Sequence, residues 1–313
     1  MPSTATRLNR LGLAVCVSLA LLAAALAFVF LGRGDGKAAV PVAGAATRSR
    51  GRLPHLKRVV VIMFENKEYN EVVGSSQAPT INRLARHGAL FTRYYAVAHP
   101  SLPNYLALVS GSTHGITDDC TDCAVSGRNL ADTVGRAGLT WKAYAEGLPS
   151  PGFTGAGAGR YAKKHEPFVY FDDITANKRR LARIVPLTRF RRDLRRGALP
   201  NFAFVTPDLC HDMHDCSVAA GDQWLTSFIR PLLKSRQLKQ GVVFIVFDEG
   251  SDSDVTGGGG HTIALAVGPR VKPGSRVSGT LSHYNLLRTI EDVLRLPHLG
   301  SSGRAHPIRG IWR

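Results

Sequence analysis

Apolar residues follow two patterns along this chain. In residues 57–64 (KRVVVIMF) and Gly241–Phe247 (GVVFIVF) they run on without alternation, rich in β-branched side chains. Such runs are strands covered on both faces. Further strand-like runs, some interrupted by polar residues, occupy residues 89–97, 139–145, 201–205 and 262–267. Between them the apolar positions recur at helical spacing. Residues 79–88 (PTINRLARHG) start on Pro79 and Thr80, place Ile81, Leu84 and Ala85 on one face and stop at Gly88. Helices are also predicted over 102–110, 129–137 and 223–233. A last amphipathic helix spans 282–294, capped by Ser282. Strands alternating with helices imply an α/β architecture.

Polar residues with chemical capacity gather where strands end. Glu65-Asn66 follows the first buried strand, an acid and an amide suited to a hard divalent cation. Asp248-Glu249 follows the most apolar strand of the C-terminal half, at the carboxyl end where open α/β sheets build their sites. Ser101 stands between a strand and an apolar helical run, where an N-cap belongs. A hydroxyl there faces free backbone N–H groups and the positive end of a helix, a favourable place for a phosphate. Residues 206–216 (TPDLCHDMHDC) pack Asp208, Asp212, Asp215, His211 and His214 behind another strand, a density of acid/base and metal-capable groups that points to a site. His99 precedes the serine. His261 follows four consecutive glycines, which suggest close approach of backbone to a ligand, or simply a flexible loop.

The first 32 residues change the cellular picture. A short basic start (Arg7, Arg10) leads into an apolar stretch over 11–31, long enough to cross a bilayer. An uncleaved anchor with the remainder outside is favoured over a cleaved signal, for which Ala43-Gly-Ala45 is the cleavage candidate. Residues 33–54 read as a linker and 55–313 as the functional domain. Cys16 lies in the apolar segment; Cys120/Cys123 and Cys210/Cys216 form two local pairs. In an exported chain these read as disulfides. The same cysteines in a cytosolic chain would serve zinc, although that spacing is loose and the Asp neighbours untypical.

Among 313 residues the net charge is +17. That balance fits solubility, or an anionic substrate or surface. Basic residues crowd over 178–196, either a solvated helix face or a docking face for anionic lipid headgroups. Residues 147–160, rich in Gly and Pro, read as a mobile loop.

The order of motifs resembles the alkaline phosphatase and sulfatase superfamily: Glu65, Pro79-Thr80 with Leu84, Phe91-Thr92 with Tyr95, then Ser101. More closely, the chain resembles the bacterial and fungal phosphoesterase family of acid phosphatases and phospholipases C. The residues carrying that likeness are 64–66 (FEN), 99–105 (HPSLPNY), Pro207-Asp208, 212–215 (DMHD), 247–249 (FDE), Gly260-His261 and 283–291. The resemblance implies an alkaline phosphatase-like three-layer sandwich, with a mostly parallel central sheet and helices on both faces. It implies one divalent metal, with Mg, Ca, Mn and Zn all open, held by Glu65, Asn66, Ser101, Asp248 and Glu249. His99, His214 and His261 would surround the phosphate, with His214 or His261 supplying the acid, and His211, Asp215 and Asn104 as further substrate contacts.

The function expected is an acid phosphatase working through a phosphoserine, acting on a phosphorylated small molecule or a phospholipid headgroup. A phospholipase C on diesters is the alternative, and a catalytically inactive anchored binding protein a second one. Tyr105 stands where a sulfatase needs Arg, which counts against that chemistry. Membrane contact is expected only through the N-terminal segment, with no nucleic acid and no obligate protein partner.

Overall fold

The computed structural model describes residues 53–313. The anchor or signal segment, nearly all of the linker and Cys16 lie outside the described residues. Among those described, no helix is long and apolar enough to cross a membrane.

Nine strands of the described residues form one sheet. They are β1 (Arg58–Phe64), β2 (Ala89–Tyr95), β3 (Trp141–Ala145), β4 (Ile184–Pro186), β5 (Phe202–Thr206), β6 (Gly241–Phe247), β7 (His261–Val267), β8 (Ser275–Val277) and β9 (Leu281–Ser282). Their order is β8-β2-β7-β6-β1-β5-β3-β4, with β9 also on β2. Pairing is parallel throughout, except that β7 runs antiparallel to both neighbours.

The unbroken apolar runs have the cause expected of them: both faces of the sheet are covered. In β1, Val59, Val61 and Met63 enter one core with residues of helices Ser101–Ser110, Leu130–Arg136 and His283–Leu294. Val60, Ile62 and Phe64 enter the other, with residues of helices Pro79–His87, Thr188–Arg195 and Val218–Leu233. The result is a three-layer α/β sandwich with helices on both faces.

Three local expectations are corrected. The helix predicted from residue 223 starts at Val218, capped by the Ser217 hydroxyl. Its first turn holds Gly221, a poor helix former, but a Cβ there would lie 2.5 Å from Met213 Cγ, so close packing decides the residue. The basic stretch 178–196 is not one helix face but helix Lys178–Leu181, strand β4 and helix Thr188–Arg195. The segment read as a mobile loop carries a small hairpin, Gly157–Ala158 against Tyr161–Ala162.

Candidate active site

Register builds the centre of the site. β1 and β6 pair from Arg58↔Gly241 to Phe64↔Phe247, so Glu65 and Asp248 leave adjacent parallel strands side by side. The Asp248 N–H donates to Phe64 O at 3.0 Å, and Asp248 Oδ1 accepts from Asn66 N at 3.0 Å and Glu249 N at 2.7 Å. Asn66 takes a left-handed φ of 46°, tolerable for this residue type, which turns its amide back over the strand ends.

Ser101 reaches these acids from the side. It is the first residue of its helix; the extended Pro100, after a cis His99–Pro100 peptide, takes the cap position. The serine therefore does not cap its own helix. Its buried Oγ donates to Glu65 Oε2 at 3.0 Å and lies 3.4 Å from Glu249 Oε1. Tyr105, one turn on, donates its hydroxyl to Glu65 Oε1. The helix ends at Gly111 in the left-handed region (φ 77°), where a Cβ would meet Leu299 O at 2.1 Å.

Thus Glu65, Asn66, Ser101, Asp248 and Glu249 come together, all but Asn66 fully buried. Burial, then Asp248 and Asp212, pushes Glu65 well above the usual carboxylate range. Burial also raises Asp248; burial with Asp248 and Asp119 takes Glu249 up to about 9. Asp248 Oδ2 has no partner among the described residues. The Asn66 side-chain oxygen faces Glu65 Oε2 at 3.1 Å and Glu249 Oε1 at 3.3 Å, acceptor against acceptor. Turning the amide over would satisfy those two contacts. A cation between the Asn66 oxygen and these two carboxylates would satisfy them too, although Glu65, Asp248 and Glu249 together are not one of the acid–histidine groups of the described residues whose ligand atoms lie within 4.8 Å of one another, where Glu65 goes with His165 and Asp212, and Glu249 with His99 and Asp252. The donors are carboxylates, an amide and a hydroxyl, a set suited to a hard divalent ion, so the residues present fit such an ion.

The histidines separate. His99 Nδ1 lies 2.7 Å from Glu249 Oε2 and its Nε2 meets Asp254 O at 3.0 Å, so it orients Glu249. His214 Nδ1 is held by Asp215 Oδ1 at 2.7 Å, which leaves Nε2 directed at Lys164 Nζ, 3.3 Å away. His211 turns to Glu146 Oε2 at 2.9 Å and Asp208 Oδ1 at 3.3 Å instead. His261 has its Nε2 on Thr92 O at 3.1 Å and its ring stacked on Tyr69 and tilted against Tyr95. The glycines before it pack closely on protein backbone. A Cβ on Gly258 or Gly259 would lie 2.4 Å from Val97 O or 2.1 Å from Ala98 O, so they let the chain lie flat against the segment leading to Ser101. Asn104 is spent on that same segment: its oxygen accepts from Val97 N and Ala98 N, and its nitrogen donates to Ala98 O at 2.7 Å.

Several residues at the centre escaped the sequence reading. His165 is buried between Glu65 Oε2 (3.4 Å) and Asp212 Oδ2 (3.1 Å). Burial and Lys164 push it down to about 3, so it is neutral and these contacts are not ion pairs. Asp212 is pushed up to about 7 by burial. Glu65, His165 and Asp212 form one of three acid–histidine groups among the described residues with ligand atoms close enough to share an ion. His283 donates Nε2–H to Asp248 O at 2.6 Å and receives the Tyr94 hydroxyl at Nδ1, fixing the strand end from beneath. Lys164 Nζ binds Asp119 Oδ2 at 2.8 Å, while Asp119 Oδ1 accepts from Leu102 N at 2.9 Å. Burial alone would lower Lys164, but Asp119 overrides it and raises the ammonium. Asp119 thereby takes up two donors beside the serine that suit a phosphate. The available signal was 163–167 (KKHEP), where a histidine beside two lysines follows the glycine-rich segment.

Both cysteine pairs are disulfides. Cys210–Cys216 closes the loop carrying His211, Asp212 and His214. Cys120–Cys123 follows directly on Asp119.

A serine hydroxyl among buried acids, at the carboxyl edge of a mostly parallel sheet, is an arrangement suited to hydrolysis of phosphoric esters, and the family and relatives below make the chain a hydrolase of that class. The fold matches an alkaline phosphatase superfamily protein from Vibrio parahaemolyticus (TM-score 0.56, 14% identity, 77% of this chain and 67% of that one). It also matches the lipoteichoic acid synthase LtaP from Listeria monocytogenes (TM-score 0.56, 11% identity, 77% and 72%). The family profile described as "Phosphoesterase family" matches residues 75–297, and the chain belongs to that family. It is 35% identical over 277 residues to a phosphatidylinositol-3-phosphatase of Mycobacterium tuberculosis, 88% of each chain. It is 32% identical over 253 residues to a probable acid phosphatase of Kluyveromyces lactis, covering 78% of this chain and 59% of that relative.

Proposed function

We propose that the protein is an exported phosphomonoesterase acting through a phosphoserine on Ser101, with a phosphoinositide or a similar phosphorylated metabolite as substrate. The observation that carries this reading is the Ser101 hydroxyl, buried and donating to Glu65 at the start of a helix. The mycobacterial relative's activity supports the phosphoinositide, and the two disulfides support export.

Glu65, Asn66, Ser101, Asp248 and Glu249 would hold one divalent cation, which would supply charge to deprotonate the serine and to neutralise the phosphate. The chain's own groups do the rest. Glu65 and Glu249 orient Oγ. The Leu102 N–H and the Lys164 ammonium receive the phosphoryl oxygens once Asp119 yields them. His214 protonates the leaving oxygen through Nε2 once that nitrogen, which faces the Lys164 ammonium in the resting site, has taken up a proton from solvent, since Asp215 holds its Nδ1. His99 positions Glu249, and His165 packs beneath Glu65.

The test is hydrolysis of an aryl phosphate and of its choline diester by the wild type and by Ser101→Ala, each with and without chelator. Monoester turnover that chelator removes, and that Ser101→Ala lowers on the order of a thousandfold or more, is the expected result. Near-normal monoester turnover by Ser101→Ala would sink the assignment. Turnover of the diester alone would replace phosphatase by phosphodiesterase.

A further inference from the structure

We infer that a second phosphate-binding subsite lies beside the Ser101 centre, formed by Arg191 and Arg195, and that it selects substrates presenting a second phosphate near the scissile one. The inference rests on the phosphomonoesterase reading and narrows its substrate class.

The place is a cavity of about 530 Å3 lined by Glu146, Leu148, Pro186, Thr188, Arg191 and Arg195 among others. Its floor is the carboxyl end of β3 and β4. Glu146 N donates to Thr206 O, and Leu187 N to Ala145 O, so this floor continues the same sheet edge. The strand order β1-β5-β3-β4 puts it two to three strands from Glu65, roughly 10 to 14 Å away at the usual strand spacing. An arginine side chain covers part of that span. One disulfide-closed loop borders both places: it sends Asp212 toward Glu65, and His211 to Glu146 on the cavity wall.

The charge has one sign available for a ligand. Arg191 and Arg195 sit four residues apart, on one face of helix Thr188–Arg195. Both are exposed, and neither has an acidic partner among the described residues. By contrast Arg180, in the preceding helix, is paired with Asp132. The acid on the wall, Glu146, is already engaged by His211 Nδ1 at 2.9 Å and Asp208 N at 3.2 Å. Two guanidinium groups, with Thr188 at the helix start, offer the forked donors that phosphate oxygens take best. The second phosphate comes from the same molecule, as in a bisphosphorylated inositol, or from a neighbouring lipid headgroup. The chemistry is shared.

The experiment uses the full chain carrying Ser101→Ala, with and without R191A/R195A, titrated with inositol 1,3-bisphosphate and with inositol 3-phosphate. The bisphosphate is expected to bind about tenfold more tightly. The double substitution should erase that preference and leave the monophosphate affinity unchanged. In a second arm, active wild type and R191A/R195A hydrolyse phosphatidylinositol 3-phosphate in vesicles with neutral or anionic carrier lipid. A defect confined to anionic vesicles, without the soluble preference, assigns the second phosphate to a neighbouring headgroup. Indifference to the arginines in both arms overturns the subsite. If wild type fails on an aryl phosphate while the binding preference stands, the catalytic reading falls and the subsite does not.

Discussion

Two acid–histidine groups lie along one edge of the sheet and behave in opposite ways. Glu65, His165 and Asp212 are buried, adjoin Asp248 and Glu249, and leave His165 Nε2, Asp212 Oδ2 and Asp248 Oδ2 without hydrogen-bond partners. Glu146, Asp208 and His211 use the same residue types at similar spacing, but Glu146 and His211 are partly exposed and the members satisfy one another. Residue type is therefore no guide to which group is left with unsatisfied atoms. Burial with unpaired acceptors is costly unless a cation or proton fills it, whereas a half-exposed, mutually bonded group already sits at rest.

The contrast breaks most directly by substitution. Asp248→Asn, which removes a charge next to the serine, should lower aryl phosphate turnover at least about a hundredfold. Glu146→Gln should stay within about fivefold, as for a partly exposed pair. Equal losses in the two steady-state assays would mean that both groups are catalytic.

A smaller effect comes from pH. In the cation-free protein, Glu249 is raised from 4.5 to about 9, so between those values the folded chain keeps a proton that the unfolded chain has released. Stability of the chelated protein should therefore fall as pH rises through that window. A divalent ion bound by these acids would replace the proton, so its stabilising effect should grow with pH, reaching several degrees in melting temperature on the alkaline side. Melting curves at pH 5 and pH 8.5, with chelator or with added Mg, Ca, Mn or Zn, read this directly. A cation effect independent of pH would remove the buried acids from the binding site.

The smallest effect concerns Asp119, which binds the Leu102 N–H and Lys164 as a phosphate would. Asp119→Asn weakens that competition, so inorganic phosphate should inhibit about three- to tenfold more strongly. Unchanged product inhibition would mean that substrate does not displace Asp119.

Much of this arrangement was legible beforehand. Unbroken apolar runs gave β1 and β6 because sheet strands covered on both faces need no alternation, and the acids closing those runs fell at the carboxyl edge. Ser101, placed between strand and helix, could be named from local order. Asn66 and Glu249 follow by adjacency to Glu65 and Asp248. His261 shows where that reasoning runs out. Its position after four glycines suggested a ligand, yet those glycines serve close packing against 96–98, and the ring is held between two tyrosines. His165, Lys164 and Asp119 were invisible for the complementary reason: they stand on a single 3-10 turn and a loop, far along the chain from the residues they contact.

By itself, then, the sequence determined six of the nine sheet strands, their polar ends, the place of Ser101 between strand and helix and the local cysteine pairs, because each depends on neighbours a few residues away. Only the tertiary structure decided which histidines turn to the buried acids, which acids lose their water, and which arginines line a cavity instead of facing solvent alone. Those outcomes depend on register between strands distant in sequence and on the burial it imposes, and no local pattern encodes either.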